Sequence, residues 1–308
     1  MLIKRCANQI SIFLFLFTGI TMAQQRTSDF GLTGRVKNIQ SATYAYSTPA
    51  QTEVSGFLGN EKFDSISLKF DQKENLVFQE NFLDYQGELG LFDRTVFQFN
   101  FNNQVEKLET TLIQNGEEPK KISQRKKFYY IQNQLVRIDE FNSGRTTDQF
   151  WVTNFIYEGG RLKKKEFWME DEIFSVSEFE NRLMKITSEK IFHNDGKPGR
   201  TIEYKYDENA KLILKSTKSG NEKTDETFEY ENGKLVSHVT KNNDRIILKE
   251  MFNSDELPKE IQKLNYRTQK FDLYEFKFEY DSQNNWINCL ILENQTPKFT
   301  VKRKIDYY

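Results

Sequence analysis

Two histidines, His193 and His238, two cysteines, Cys6 and Cys289, and many carboxylates are the groups from which this 308-residue chain could build a reaction or a metal site. A zinc site wants three or four His, Cys or carboxylate ligands converging from short spacings. His193 and His238 stand far apart without such company, and both read as surface or turn residues. The stretch DSQNN at Asp281 superficially suggests a calcium loop. It lacks the acid at its third position, the glycine at its sixth and the closing Glu, so it reads as a turn. No G-x-S-x-G elbow, phosphate-binding glycine loop or H-E-x-x-H is present.

A glycosidase needs two acids ~5 to 9.5 Å apart across a cleft. The acids here mostly fall where a cation faces them across a turn, as Glu231 faces Lys234 and Glu158 faces Arg161. Lys163-Lys164-Lys165 and Arg125-Lys126-Lys127 read as solvated charge. The expectation is therefore no catalytic, cofactor-binding or metal-binding residue and no cofactor, with the ligand-binding residues unknown.

The elements that would carry any site begin after a leader. Lys4 and Arg5 precede an apolar run from Ile10 to Ile20 and a small-residue exit at Thr21-Met22-Ala23. That is the pattern of a secretory signal peptide over residues 1 to 23, cleaved after Ala23. Cys6 precedes the apolar run, which argues against lipidation. Removing Lys4 and Arg5 takes the formal net charge from −1 to −3, which suggests no polyanion-binding surface and no nucleic-acid partner. Cys289 would be the one cysteine left, unable to form an intramolecular disulfide, and reads as a small core hydrophobe.

From residue 70 onward one pattern recurs. In FEYENGKLV, Asn232-Gly233 suits a two-residue type I′ turn, because both residues tolerate positive φ. Glu231 then opposes Lys234 and Tyr230 opposes Leu235. FIYEGGRLK places Gly159-Gly160 at the tip and FYYIQNQLV places Gln132-Asn133 there, while MFNSDELP sets Phe252 and Leu257 at the same separation. Three copies are one residue longer and put Asp after the aromatic: Phe70-Asp71 with Leu76, Tyr206-Asp207 with Leu212, Tyr280-Asp281 with Trp286. An Asp there can bond the backbone ahead of it and start a type I turn with a bulge.

The aromatics before the tips, Phe70, Phe101, Tyr130, Tyr157, Phe179, Tyr206, Tyr230, Phe252, Tyr280 and Tyr307, are 22 to 31 residues apart. That suits two strands per repeat and is too short for propeller blades. SDELPKEIQKL from Ser254 has helical composition, but Pro258 and the repeat register make it strand. The reading is all-β: tandem antiparallel β-hairpin repeats forming one long, twisted or curled meander sheet. Residues 24 to 69 would supply N-terminal strands and a capping region, and residues 70 to 308 the repeat domain. Whether the sheet closes on itself is left open. So is the role of Tyr44 to Lys62, as a capping loop or a functional insertion.

The hairpins EYKYDENAKL (203 to 212), FEYENGKLV (228 to 236) and FEYDSQNNWI (278 to 287), with GLTGRVKNI (31 to 39), resemble the YD-repeat, or RHS-repeat, family and its relatives in secreted proteins of Gram-negative bacteria. The resemblance covers roughly residues 70 to 308. Ala210 departs from it, standing where the family usually has a turn glycine. It implies a shell-like hairpin wall and no set of active-site residues.

Alternation puts Phe228, Tyr230 and Leu235 on one face of the sheet and Glu229, Glu231 and Lys234 on the other. The aromatic face must be covered by curling or stacking, or must hold something. An outer-membrane barrel is disfavoured, because the alternate positions counted back from Tyr308 are Asp306, Lys304, Lys302 and Thr300, which make no lipid face. Three functions follow: a non-enzymatic extracytoplasmic interaction or envelope-associated module, a periplasmic carrier holding an apolar ligand in an aromatic concavity, or a secreted glycan-active hydrolase. The partner is an unidentified protein, glycan or apolar ligand. The mature chain is expected to be periplasmic or extracellular and not membrane-spanning.

Overall fold

The computed structural model describes residues 26–30, 32–45, 65–85, 88–113, 122–143 and 148–308. The leader and its cleavage site, and most of the segment from Tyr44 to Lys62, lie outside the described residues. A short 3-10 turn, Thr27–Phe30, precedes twenty strands. The first ten are β1 Val36–Ala45, β2 Ser65–Phe70, β3 Leu76–Tyr85, β4 Glu88–Phe99, β5 Val105–Leu112, β6 Ile122–Ile131, β7 Gln134–Ser143, β8 Asp148–Glu158, β9 Arg161–Met169 and β10 Glu172–Arg182. The rest are β11 Lys185–His193, β12 Pro198–Tyr206, β13 Leu212–Ser219, β14 Glu222–Glu231, β15 Lys234–Asn242, β16 Arg245–Phe252, β17 Pro258–Asn265, β18 Lys270–Tyr280, β19 Trp286–Glu293 and β20 Thr296–Tyr307.

Each strand pairs antiparallel with its sequence neighbour, so the hairpin meander is present throughout. The sheet does not stay open. β20 pairs with β1, from Val36 opposite Tyr307 to Ala45 opposite Phe299, and the meander closes into a 20-stranded barrel. The meander expected from the sequence is therefore a closed barrel and not an open twisted or curled sheet, which answers the question of closure that the sequence left open. The physical reason is that an unpaired β1 and β20 would each expose a row of N–H and C=O groups, which closure removes. β1 and β2, from the N-terminal region, are staves of the same wall as the repeats.

The tips follow the local chemistry. Asn232-Gly233, Gly159-Gly160 and Gln132-Asn133 all lie at positive φ, with Tyr230 opposite Leu235, Tyr157 opposite Leu162 and Tyr130 opposite Leu135. In the longer loops Asp71, Asp207 and Asp281 accept the backbone N–H four residues on, at 2.8 to 2.9 Å. Asn100 and Asn253 do the same for Gln104 and Leu257. MFNSDELP therefore belongs to the longer class: Phe252 opposes Pro258, not Leu257. SDELPKEIQKL is a turn followed by β17, with no helix.

Two tip aromatics are also re-placed. Phe99, not Phe101, is the wall residue opposite Val105, and Phe101 is 94% exposed at the tip itself. Phe179 sits one row deeper, opposite Glu189, and Asn181 holds its tip position opposite Ile186.

Twenty staves ~4.8 Å apart give a perimeter on the order of 100 Å. Eight strands already make an interior that side chains can fill. Here the apolar packing is lateral. Three clusters, around Ile291 and Phe299, around Phe128 and Phe155, and around Ile39 and Leu76, are each built from neighbouring staves, and none joins opposite walls. Side chains on the concave face of a closed wall converge, so the face that buries Phe128, Phe155, Phe179, Phe228 and Phe276 is the inner one.

Candidate functional site

The inner wall is ordered in rows counted from the hairpin tips. In the tip row of the rim that carries Asn232-Gly233 a one-residue register shift follows each turn, as between Tyr129 and Tyr130 or between Glu229 and Tyr230. Such a bulge disturbs the ladder and leaves a carbonyl in need of a donor. The tyrosine of the next hairpin supplies it: Tyr130 Oη donates to Val105 O at 3.0 Å, Tyr157 to Leu135 O at 3.0 Å, Tyr206 to Ile186 O at 2.9 Å and Tyr230 to Leu212 O at 3.1 Å. Asn181 fills the same place with its amide, donating to Leu162 O at 2.8 Å. Burial pushes the Tyr130 phenol up to about 12 and raises Tyr157, Tyr206 and Tyr230 as well, so these donors keep their protons. The recurring tyrosines are thus half-buried pins between neighbouring hairpins. Tyr280 departs from the series, more than a third exposed with its hydroxyl 3.4 Å from Asp255 Oδ2.

Below that row the inner face turns polar, a feature that simple alternation of one apolar and one charged face does not anticipate. Lys126 meets Glu140 at 3.0 Å, and Asn81 donates to Asp93 at 2.6 Å. Burial raises the Asp93 carboxyl, partly offset by the Asn81 hydrogen bond.

The densest group is Lys215, Glu226, His238 and Glu250, on β13, β14, β15 and β16. Lys215 Nζ lies 2.7 Å from Glu226 Oε1, His238 Nδ1 2.5 Å from Glu250 Oε2, and His238 Nε2 3.8 Å from Glu226 Oε2. The imidazole stacks on Phe228, with centroids 4.9 Å apart. His238 is only 2% exposed, which overturns its placement as a surface or turn residue, whereas His193 does lie exposed beside a turn. The bulge is the reason. Extending the Asn232-Gly233 register without a shift puts His238 opposite Thr227 on the outer face; the extra residue Val236 moves it opposite Phe228, inside.

A paired-carboxylate hydrolase would need Glu226 and Glu250 to flank open space. Here the ring of His238 lies between them.

A different arrangement surrounds Arg303 on β20. Its guanidinium lies 3.4 Å from the centroid of the Trp286 ring, within the cluster of Ile261, Phe276, Cys289, Ile291 and Val301. Nε and Nη1 are closed to solvent and have no hydrogen-bond partner, although the residue as a whole keeps some exposure. Burial draws this guanidinium down to about 9. The neighbouring Cys289 is fully buried and its thiol is pushed up to about 12, consistent with its reading as a core hydrophobe. Among the described residues no group of three or more His, Cys, Asp or Glu could hold a metal ion. No helix among them is long and apolar enough to cross a membrane, which says nothing of a barrel.

On the outer face, mid-strand positions carry cross-strand ion pairs: Arg94 with Glu80 at 2.8 Å, Arg125 with Glu109 at 2.7 Å and Lys190 with Glu180 at 2.9 Å. Cations also cover the outer aromatics, Lys69 and Arg94 over Phe78 and Lys127 and Arg137 over Tyr129.

No family model matches the chain, and no curated protein matches it. Among solved structures it is similar to a porin-like protein from Bacteroides uniformis, at 9% identity and TM-score 0.39, over 89% of this chain and 99% of that one. A porin-like protein from Bacteroides vulgatus aligns over the same shares at 11% identity and TM-score 0.27. A TcdB2-TccC3-Cdc42 structure aligns at 10% identity and TM-score 0.30, over 76% of this chain and 16% of that one. At TM-scores below 0.5 these likenesses fix neither the fold nor the activity of this chain.

Proposed function

We propose that this chain is an exported, non-enzymatic protein of the cell envelope, a binding module whose barrel wall stands in water and not in lipid. One observation carries the reading: the outer face pairs charges at mid-strand, where a lipid-facing wall would present an apolar band. Moving Glu80, Arg94, Glu109 and Arg125 into hydrocarbon would desolvate every one of them. Export rests on the leader over residues 1 to 23, and the hairpin body is read as kin to the YD-repeat proteins it resembles. Detergent phase partitioning of the exported protein tests the location. It is expected in the aqueous phase; recovery only with carbonate-resistant membrane overturns it. A screen on cell-wall and plant polysaccharides tests the absence of catalysis, which robust turnover lost in Glu226→Gln or Glu250→Gln would refute.

A second reading is favoured by Arg303. A guanidinium stacked on Trp286, with two nitrogens unbonded, no carboxylate pairing with it among the described residues and part of the residue still exposed, suits an amphipathic anion whose headgroup reaches it from the inner face. Native mass spectrometry of protein purified from its own host would then show a bound mass that Arg303→Met loses. A clean apo mass sinks this carrier reading.

A further inference from the structure

The repeat provides its own control for what a hairpin tip needs. In the five-residue loops the second position is Gln72, Glu208, Ser254 or Ser282, but in one it is Phe101. In the two-residue turns of the same rim the tip is Gln132-Asn133, Gly159-Gly160 or Asn232-Gly233, but in one it is Leu183-Met184. The residue before those turns is Glu158, Arg182 or Glu231, but in one it is Ile131.

Each exception replaces a polar or small residue with a large apolar one, and each stays in solvent: Phe101 is 94% exposed, Ile131 63%, Leu183 86% and Met184 69%. Leu183 and Met184 also hold φ of 48° and 65°, a backbone region that disfavours bulky side chains and that Asn-Gly occupies cheaply. Local folding gives no reason for any of these choices. Solvent exposure makes them unfavourable.

All three exceptions lie on one arc of one rim. The tips joining β4 to β5, β6 to β7, β8 to β9 and β10 to β11 are neighbours, each two staves or ~10 Å from the next, so the arc spans about 30 Å. Its tips carry Arg161, Arg182 and Lys185 against a single acid, Glu158. The remaining tips are polar and net acidic: Glu208, Glu231, Asp255 and Glu256 are among their acids, which Lys73, Lys211 and Lys234 offset only in part. One side of the rim is therefore apolar and basic, the other acidic.

From this asymmetry we infer that the Phe101, Ile131 and Leu183-Met184 tips are a membrane-docking edge that dips into the headgroup layer of an anionic phospholipid surface, with Arg161, Arg182 and Lys185 meeting the phosphates. Scattered apolar fingers with flanking cations are the means by which a protein lies on a bilayer without crossing it. The inference rests on the reading that the wall itself stays in water.

Flotation of the purified, detergent-free protein with vesicles tests it, comparing phosphatidylglycerol-containing with pure phosphatidylcholine vesicles. Wild type should float with the anionic vesicles and about tenfold less with the neutral ones. The triple variant Phe101→Ser, Leu183→Asn, Met184→Gly should lose about tenfold in partitioning while its melting temperature stays level or rises, because Asn-Gly relieves the turn. Equal flotation of the variant, or no flotation of wild type, overturns the docking edge. So does capture of one envelope protein by wild type alone in place of vesicles, which would make the edge a protein interface. Protein that enters vesicles only through detergent and then resists carbonate would instead overturn the water-standing wall, and the rim variant separates the two because it leaves the wall untouched.

Discussion

Lys215 and Glu226 are both close to buried, and their contact at 2.7 Å offsets the loss of water around each. Replacing Lys215 with Met leaves Glu226 without that ammonium in a largely dry wall and should cost about 3 kcal/mol; the double change Lys215→Met with Glu226→Met should recover much of it. Urea midpoints of the two variants check this. The buried acids set a pH dependence of definite sign. Cys289 titrates near 9.0 when free and near 12 in the fold, and Tyr130 near 10.0 and about 12. The lowered Arg303 guanidinium works in the opposite sense from about pH 9 and offsets the thiol there, but above pH 10 the raised phenols join the thiol, the unfolded chain binds fewer protons than the folded one, and stability falls with rising pH. The thiol alone gives a slope of up to about 1.4 kcal/mol per pH unit between pH 9 and 12. A urea midpoint unchanged from pH 8 to 11 would contradict it, and Cys289→Ala should flatten the descent.

Hairpins are the scale at which the chain was most legible. Asn-Gly and Gly-Gly need no tertiary information to turn, and Asp71, Asp207 and Asp281 cap their own loops, so tip and partner could be read from letters alone. Register beyond the tip was harder. In FQFNFNN the aromatics Phe97, Phe99 and Phe101 keep a period of two into the loop, and only the pairing of Phe99 with Val105 shows where the wall ends. The bulge at Val236 turned His238 inward for the same reason: one extra residue reverses every later side chain. A systematic search for a shift after each tip would have found both it and the tyrosine donors.

Two substitutions test the hairpin unit. Tyr157→Phe and Tyr230→Phe each keep the ring but leave Leu135 O or Leu212 O without its hydroxyl donor. Each should cost about 1 kcal/mol, and together they should add, since the two pairs share no atoms. Ala210 sits at φ 60°, where the resemblance to YD-repeats would place glycine, and Ala210→Gly should stabilise by about 1 kcal/mol. Thermal melts of the three variants decide both points.

Closure belongs to the whole molecule and has no local signature, because residues 36 to 45 and 299 to 307 must find each other across nearly the full chain. The entropy lost in joining such distant segments is recovered only when the last stave docks. A polar latch completes the seam. Asn285, 1% exposed, donates to Thr33 O and to Tyr307 Oη at 2.8 Å each and accepts from Thr33 N at 2.7 Å, while the Tyr307 hydroxyl also donates to Asp281. Asn285→Ala removes that latch and should cost about 2 kcal/mol. Ending the chain at Asn294 goes further, deleting β20 and baring the edges of β1 and β19 at once. Raw edges recruit strands from other chains, so the truncated protein should form larger, concentration-dependent oligomers in light scattering than the full chain does. A truncated monomer that still melts in one cooperative step would show that lateral packing within the three apolar clusters holds the wall without the ring.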